Sequence, residues 1–166
     1  MIRLLRDDDD LDALTEMLHA AYRPLADLGL NYTATDQDVQ TTRSRVHVGE
    51  TWVAELDGRV VGTVTLKESN PEEPNWYGRP DVAAFEQFGV DPAVQGQGIG
   101  KQLLEKIERR AREKGYAELA CDTAQPARHL IALYEKWGYR VVDEIRYEGK
   151  TYPSFILSKA LAAIPQ

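Results

Sequence analysis

The stretch V-D-P-A-V-Q-G-Q-G-I-G-K-Q-L-L, residues 90–104, decides how this chain is read. It joins an apolar run, Val82 to Val90, to a segment in which Ile99, Leu103, Leu104, Ile107 and Ala111 recur at helical spacing. The pattern predicts a strand and an amphipathic helix linked through Gly96, Gly98 and Gly100. Glycine reaches backbone angles closed to other residues and puts no side chain between a ligand and the amides. Amides in the first turn of a helix are unpaired and the macrodipole favours an anion there, so the joint is suited to phosphate.

Two common phosphate loops do not fit. A P-loop needs glycine, four residues, then Gly-Lys-Ser/Thr, whereas Gly100-Lys101 is followed by Gln102 and the leading position is Gln95. A dinucleotide fingerprint needs G-x-G-x-x-G in a first βαβ unit, and this run is G-x-G-x-G, well past the middle of the chain. ATP and NAD are therefore disfavoured. Gln95-Gly96-Gln97-Gly98-Ile99-Gly100 instead resembles the Arg/Gln-x-x-Gly-x-Gly/Ala signature of the GCN5-related N-acetyltransferases (GNAT), whose loop amides hold the pyrophosphate of acetyl-coenzyme A. A second segment, Leu130 to Tyr139, is similar to that family's other hallmark: a short helix carrying a tyrosine, Tyr134, closed by Gly138, with an aromatic opening the next strand.

The resemblance implies a mixed α/β (α+β) fold, with a mostly antiparallel central sheet flanked by helices and a splayed strand pair holding acetyl-CoA. It implies an acetyl-CoA-dependent N-acetyltransferase moving the acetyl group directly to a primary amine of a small molecule or peptide. The alternative is a non-catalytic acyl-CoA-binding or sensor protein of the same fold. In similar enzymes the strand before the loop bonds the pantetheine arm through its backbone, here Phe88, Gly89 and Val90, with Gly89 suited to a bulge. Gln95, Gly96, Gln97, Gly98, Ile99, Gly100 and Lys101 make up the rest of the expected cofactor site. Tyr134 matches the tyrosine that protonates the departing thiolate, and Glu86, two residues before Phe88 on the same strand parity, is the candidate general base. Tyr32, Trp76, Tyr77 and Tyr152 are candidate walls for the acceptor. One position departs from the family: the motif helix often begins with an asparagine seven residues before the tyrosine, and here that place is Ala127, with Gln125 or Arg128 as substitutes.

The 166 residues suit one domain, expected over 1–161 with a tail over 162–166. The formal net charge of −7 argues against a general nucleic-acid binder and leaves room for a cationic acceptor. No apolar run approaches the roughly 18 residues of a membrane span, and Met1-Ile2-Arg3 leads into no signal-peptide pattern, so a cytoplasmic protein is expected. Cys121 is the single cysteine, which excludes an intramolecular disulfide; on an alternating strand it reads as a small core residue rather than an acyl-accepting nucleophile. His19, His47 and His129 have no ligand-like spacing, and no metal is expected. A homodimer is common among similar proteins.

Elsewhere, Ile2 to Leu5 reads as a strand, and the run Asp7 to Asp10 as cap chemistry for a helix carrying Leu11, Leu14, Leu18, Tyr22 and Leu25. Thr35 is placed to cap a polar helix over 36–48 that helps cover a cleft. Trp52 to Leu56 and Val60 to Leu66 flank Asp57-Gly58 as a hairpin, and residues 68–80 form a proline-rich connection. Ala117 to Thr123 reads as a strand, and Tyr139 to Tyr147 with Thr151 to Leu157 as a last hairpin.

Overall fold

A computed structural model describes residues 1–163; the last part of the expected tail, 164–166, lies outside the described residues. Seven strands of a mixed, mostly antiparallel sheet and four α-helices alternate as β1 (Ile2–Leu4), α1 (Leu11–Asp27), α2 (Val39–Val46), β2 (Glu50–Leu56), β3 (Arg59–Lys67), β4 (Val82–Val90), α3 (Ile99–Glu113), β5 (Glu118–Ala124), α4 (Arg128–Lys136), β6 (Arg140–Ile145) and β7 (Ser154–Ala160). The chain divides into two compact units, Met1–Lys67 with Glu86–Ile107, and Glu68–Phe85 with the residues from Glu108 onward.

In the first unit the strand order is β1-β2-β3-β4, with β1, β2 and β3 antiparallel. Its core gathers Leu14, Met17 and Leu18 of α1 with Ala34 and Val46. The aspartate run does what its position suggests: Asp10 Oδ1 accepts the Ala13 amide at 3.0 Å and caps α1. Asp9 adds a role the run did not disclose, a two-pronged pair with Arg3 at 2.9 Å on each arm, at side-chain exposures of 14% and 11%. Pro24 lies inside α1 without ending it. The polar helix α2 is shorter than 36–48 and is capped by Asp38, whose Oδ1 accepts the Thr41 amide at 2.8 Å. Thr35 sits in a preceding 3-10 turn, its hydroxyl spent on Tyr32 O at 2.6 Å.

The Arg3 guanidinium holds the Asp9 carboxyl below the usual carboxylate range, against the opposing effect of burial and with help from the Arg6 amide. Because the folded value is depressed, the pair's contribution is full above the unfolded value of about 3.9 and disappears as pH falls through the lower folded value. Urea midpoints should therefore drop on acidification below about pH 4 less steeply in Asp9→Asn than in the parent; parallel curves would show that the pair does not govern acid stability.

In the second unit the order is β4-β5-β7-β6. The ladder between β4 and β5 is parallel and pairs only Val82–Ala84 with Glu118–Ala120. β5, β7 and β6 are antiparallel. β7 begins at Ser154 rather than Thr151, because Pro153 has no amide to give a ladder. Val82, Ala120 and Ile156 form the core under Trp76 and Tyr77.

Candidate active site

The strand, loop and helix of the first unit are built as the sequence pattern requires. After β4, Asp91 accepts the Ala93 amide at 2.9 Å and sets a 3-10 turn over Pro92–Val94. Gly96 and Gly98 then take φ of +83° and +82°, the left-handed region in which a Cβ is disfavoured. A Cβ at Gly96 would meet nothing within 4 Å, and one at Gly98 only Gln102 Nε2 at 3.9 Å, so the space beside both backbones is open. The Gln102 amide bonds Gly98 O at 3.0 Å. By helix geometry the amides of Ile99, Gly100 and Lys101 precede that bond and point out of the helix start. Lys101 and Gln97 are exposed beside them. Gln95 braces the loop, its Nε2 donating to Val90 O at 3.0 Å.

On β4 the left-handed residue is Gln87, φ +52°, not Gly89. Gly89 is favoured for a different reason: a Cβ there would come within 3.2–3.4 Å of Leu18, Ala21 and Tyr22 on α1, which would have to shift to admit it. Tyr22 also donates its hydroxyl to Phe88 O at 2.6 Å, and its ring packs against Tyr32 at 5.7 Å between centroids.

Around Gln87 lies a polar cluster. Glu86 Oε2 stands 3.6 Å from Arg45 Nη2 and 3.7 Å from Lys67 Nζ. Arg45 Nη1 donates to Gln37 Oε1 at 2.8 Å, and Gln37 Nε2 donates to both Thr42 Oγ1 at 2.7 Å and Gln87 Oε1 at 2.9 Å. The Thr42 and Thr15 hydroxyls share a bond of 2.6 Å, and His19 Nε2 meets Gln37 O at 2.6 Å. Gln87, 2% exposed, keeps its own Nε2 without a partner. Sequence reasoning found Glu86 and missed Arg45, Lys67, Gln37 and Gln87. The signal present was a buried glutamine, next to Glu86 in a mostly apolar strand, which a buried site tolerates only with partners.

In the second unit the half-buried Tyr134 of α4 belongs to an aromatic cluster, its ring 6.2 Å from Phe85, 6.1 Å from Trp137 and 5.9 Å from Tyr139. Tyr139 is buried and donates to Glu108 Oε2 at 3.0 Å; burial first, then Glu108, pushes its phenol well above the ordinary value. Asp122 Oδ2 accepts from both Tyr77 at 2.6 Å and Tyr147 at 2.8 Å. Burial and then that carboxylate likewise raise the Tyr77 phenol. Trp76 lies under the Arg79 guanidinium at 4.0 Å, with its amide on Asp143. Tyr152 is 4% exposed, more a core residue than an open wall.

The Acetyltransferase (GNAT) family profile matches residues 11–139. The chain belongs to the GNAT acetyltransferase family. Over 134 residues it is 31% identical to the S-(2-succino)cysteine N-acetyltransferase of Bacillus subtilis (strain 168), which spans 78% of each chain. The S-alkylcysteine N-acetyltransferase of the same organism is 26% identical over 146 residues, 85% of this chain and 79% of that one. The fold matches that of a GNAT acetyltransferase from Elizabethkingia anophelis solved with acetyl-CoA bound, at a TM-score of 0.69 and 20% identity over 97% of both chains. The protein is thus an acyltransferase, and acetyl-CoA is the donor its family uses.

In this GNAT enzyme Ala127 caps α4 with no side-chain bond and is completely buried, so an asparagine there would need buried hydrogen-bond partners. The backbone amide of Gln125 bonds Pro153 O at 2.9 Å, and its side-chain Nε2 donates to Ser154 O at 3.5 Å. Arg128 is exposed at the first position of α4. Cys121 is buried, and burial followed by Asp122 pushes its thiol up, which opposes thiolate chemistry. Among the described residues there is no grouping of His, Cys, Asp and Glu able to hold a metal, and no helix is long and apolar enough to cross a membrane.

Proposed function

We propose that the chain is a single N-acetyltransferase domain over 1–161 that transfers acetyl directly from acetyl-CoA to a primary amine of a small molecule or peptide. The observation that carries this reading is the loop: two left-handed glycines with open space beside them, leading into three outward amides in a chain of this family. Acetyl-CoA supplies the acetyl group and leaves as the thiol. The Phe88–Val90 backbone lies along the arm, while the amides of Gln97 to Gly100, with Lys101, receive the pyrophosphate. Tyr134 Oη gives the departing sulfur its proton. Glu86 takes the proton from the amine, directly or through one water. Tyr32, Trp76, Tyr77 and Tyr152 are assigned to the acceptor side. The inert Cys121 favours direct transfer over an acyl-enzyme, and with no other cysteine in the sequence it accords with a cytoplasmic setting.

Calorimetric titration with acetyl-CoA, NAD and ATP tests the donor half, and thiol release with a panel of amines tests the transfer. Binding of acetyl-CoA alone, with turnover of at least one amine, is the expected result; no acetyl-CoA binding by the folded protein would overturn the reading. Gly98→Val forces a β-branched residue into φ +82° and should weaken acetyl-CoA binding at least about tenfold without unfolding the chain. Unchanged affinity would remove the loop from the site.

A further inference from the structure

Resting on that reading, we propose that Arg45, Lys67 and Gln87 bind a carboxylate of the acceptor, so that the acceptor is a free amino acid acetylated on its α-amine. Glu86 is one carboxylate facing two cations, which leaves a surplus positive charge at this point of a chain whose net charge is −7. Neither pairing is tight: 3.6 and 3.7 Å exceed the ~2.7–2.9 Å of a direct charge-assisted bond, so both cations retain donors for another anion. Both are also reachable, with side-chain exposures of 20% for Arg45 and 40% for Lys67. Arg45 does not swing freely, because Gln37 Oε1 fixes one arm of its guanidinium at 2.8 Å.

Gln87 supplies the second, independent observation. Its side chain is tied into the same cluster through Gln37 at 2.9 Å, yet its Nε2 is a buried donor with nothing to donate to. Buried polar groups in native structures are almost always partnered, and an exception calls for a ligand or water oxygen. An amino acid carries its amine and carboxylate on one carbon. Its amine suits Glu86 and its carboxylate suits the cations on either side.

Other amine classes match this charge pattern poorly. A polyamine or an aminoglycoside would bring cations to Arg45 and Lys67, and a peptide N-terminus has no carboxylate on the carbon bearing its amine. S-substituted cysteines, on which the two Bacillus subtilis relatives act by name, are amino acids and fit.

The test is steady-state thiol release at saturating acetyl-CoA with S-(2-succino)cysteine, S-methylcysteine, S-methylcysteine carboxamide, spermidine and an alanine-terminated peptide. The expected result is turnover of the free acids, with kcat/KM for S-methylcysteine roughly tenfold to a hundredfold above that of its carboxamide. Lys67→Gln and Arg45→Gln should each raise KM for the acid and lower kcat/KM for the acid more than for the carboxamide, so that the preference for acid over carboxamide shrinks. Arg45→Lys, which keeps the charge, should restore part of it. Acetyl-CoA binding with turnover of spermidine or the peptide but of neither acid would overturn the inference while the acetyltransferase reading stands. Equal use of acid and carboxamide would do the same. Failure of acetyl-CoA to bind would overturn both.

Discussion

With Tyr134 replaced by phenylalanine, kcat is expected to fall about a hundredfold while the acetyl-CoA dissociation constant stays within about twofold. The substitution removes one oxygen and keeps the ring, so the packing against Phe85, Trp137 and Tyr139 survives. A positioned acid contributes about 10²–10⁴ in rate, and the lower end is expected because water can replace the phenol in part. Equal losses in kcat and kcat/KM would mark an interaction made only as the thiolate departs. A higher KM with unchanged kcat would instead make Tyr134 a packing residue, and the acid would have to be sought elsewhere.

The largest stability effect is expected at Lys159. Its Nζ lies 2.9 Å from Glu108 Oε1, and the Glu108 side chain is 9% exposed, with the Tyr139 hydroxyl on its other oxygen. Lys159→Met leaves that carboxylate buried with only a phenol to answer it, and should cost about 3 kcal/mol, because removing one partner strands the other charge. Adding Glu108→Leu to the same chain should recover most of the loss, since an apolar pair of similar volume has no ion to desolvate. Chemical unfolding of the two variants and the parent reads this directly. A single variant within about 0.5 kcal/mol of the parent would show that solvent already carries the charge.

The fold was legible because its signals are local. The stripe Leu103, Leu104, Ile107 and Ala111 is buried as its spacing requires, the hairpin turns at Asp57-Gly58, and Gly96 and Gly98 take the angles that glycine accepts most readily. Boundaries were less so. Asp38 rather than Thr35 caps α2 because the chain first makes a 3-10 turn, and nothing in the local composition separates one capping residue from another. The loop half of the site and the tyrosine of α4 were visible as motifs, whereas Arg45, Lys67 and Gln37 come to Glu86 and Gln87 through contacts between residues far apart in the chain. Such contacts have no period and leave no mark on a single sequence. A bulge was expected at Gly89; there the absent side chain gives room to α1, and the positive φ of β4 falls at Gln87.

The segment between α1 and α2 has little regular structure, and by appearance it is a loop that would have to settle before an acceptor binds. Gln37 changes that. Bonded through both ends of its side-chain amide and through its carbonyl, it anchors the segment to Thr42, Arg45, Gln87 and His19 in the folded chain. The entropy of ordering this segment is therefore met during folding, and an acceptor bound beside it as proposed would not meet it again at each encounter.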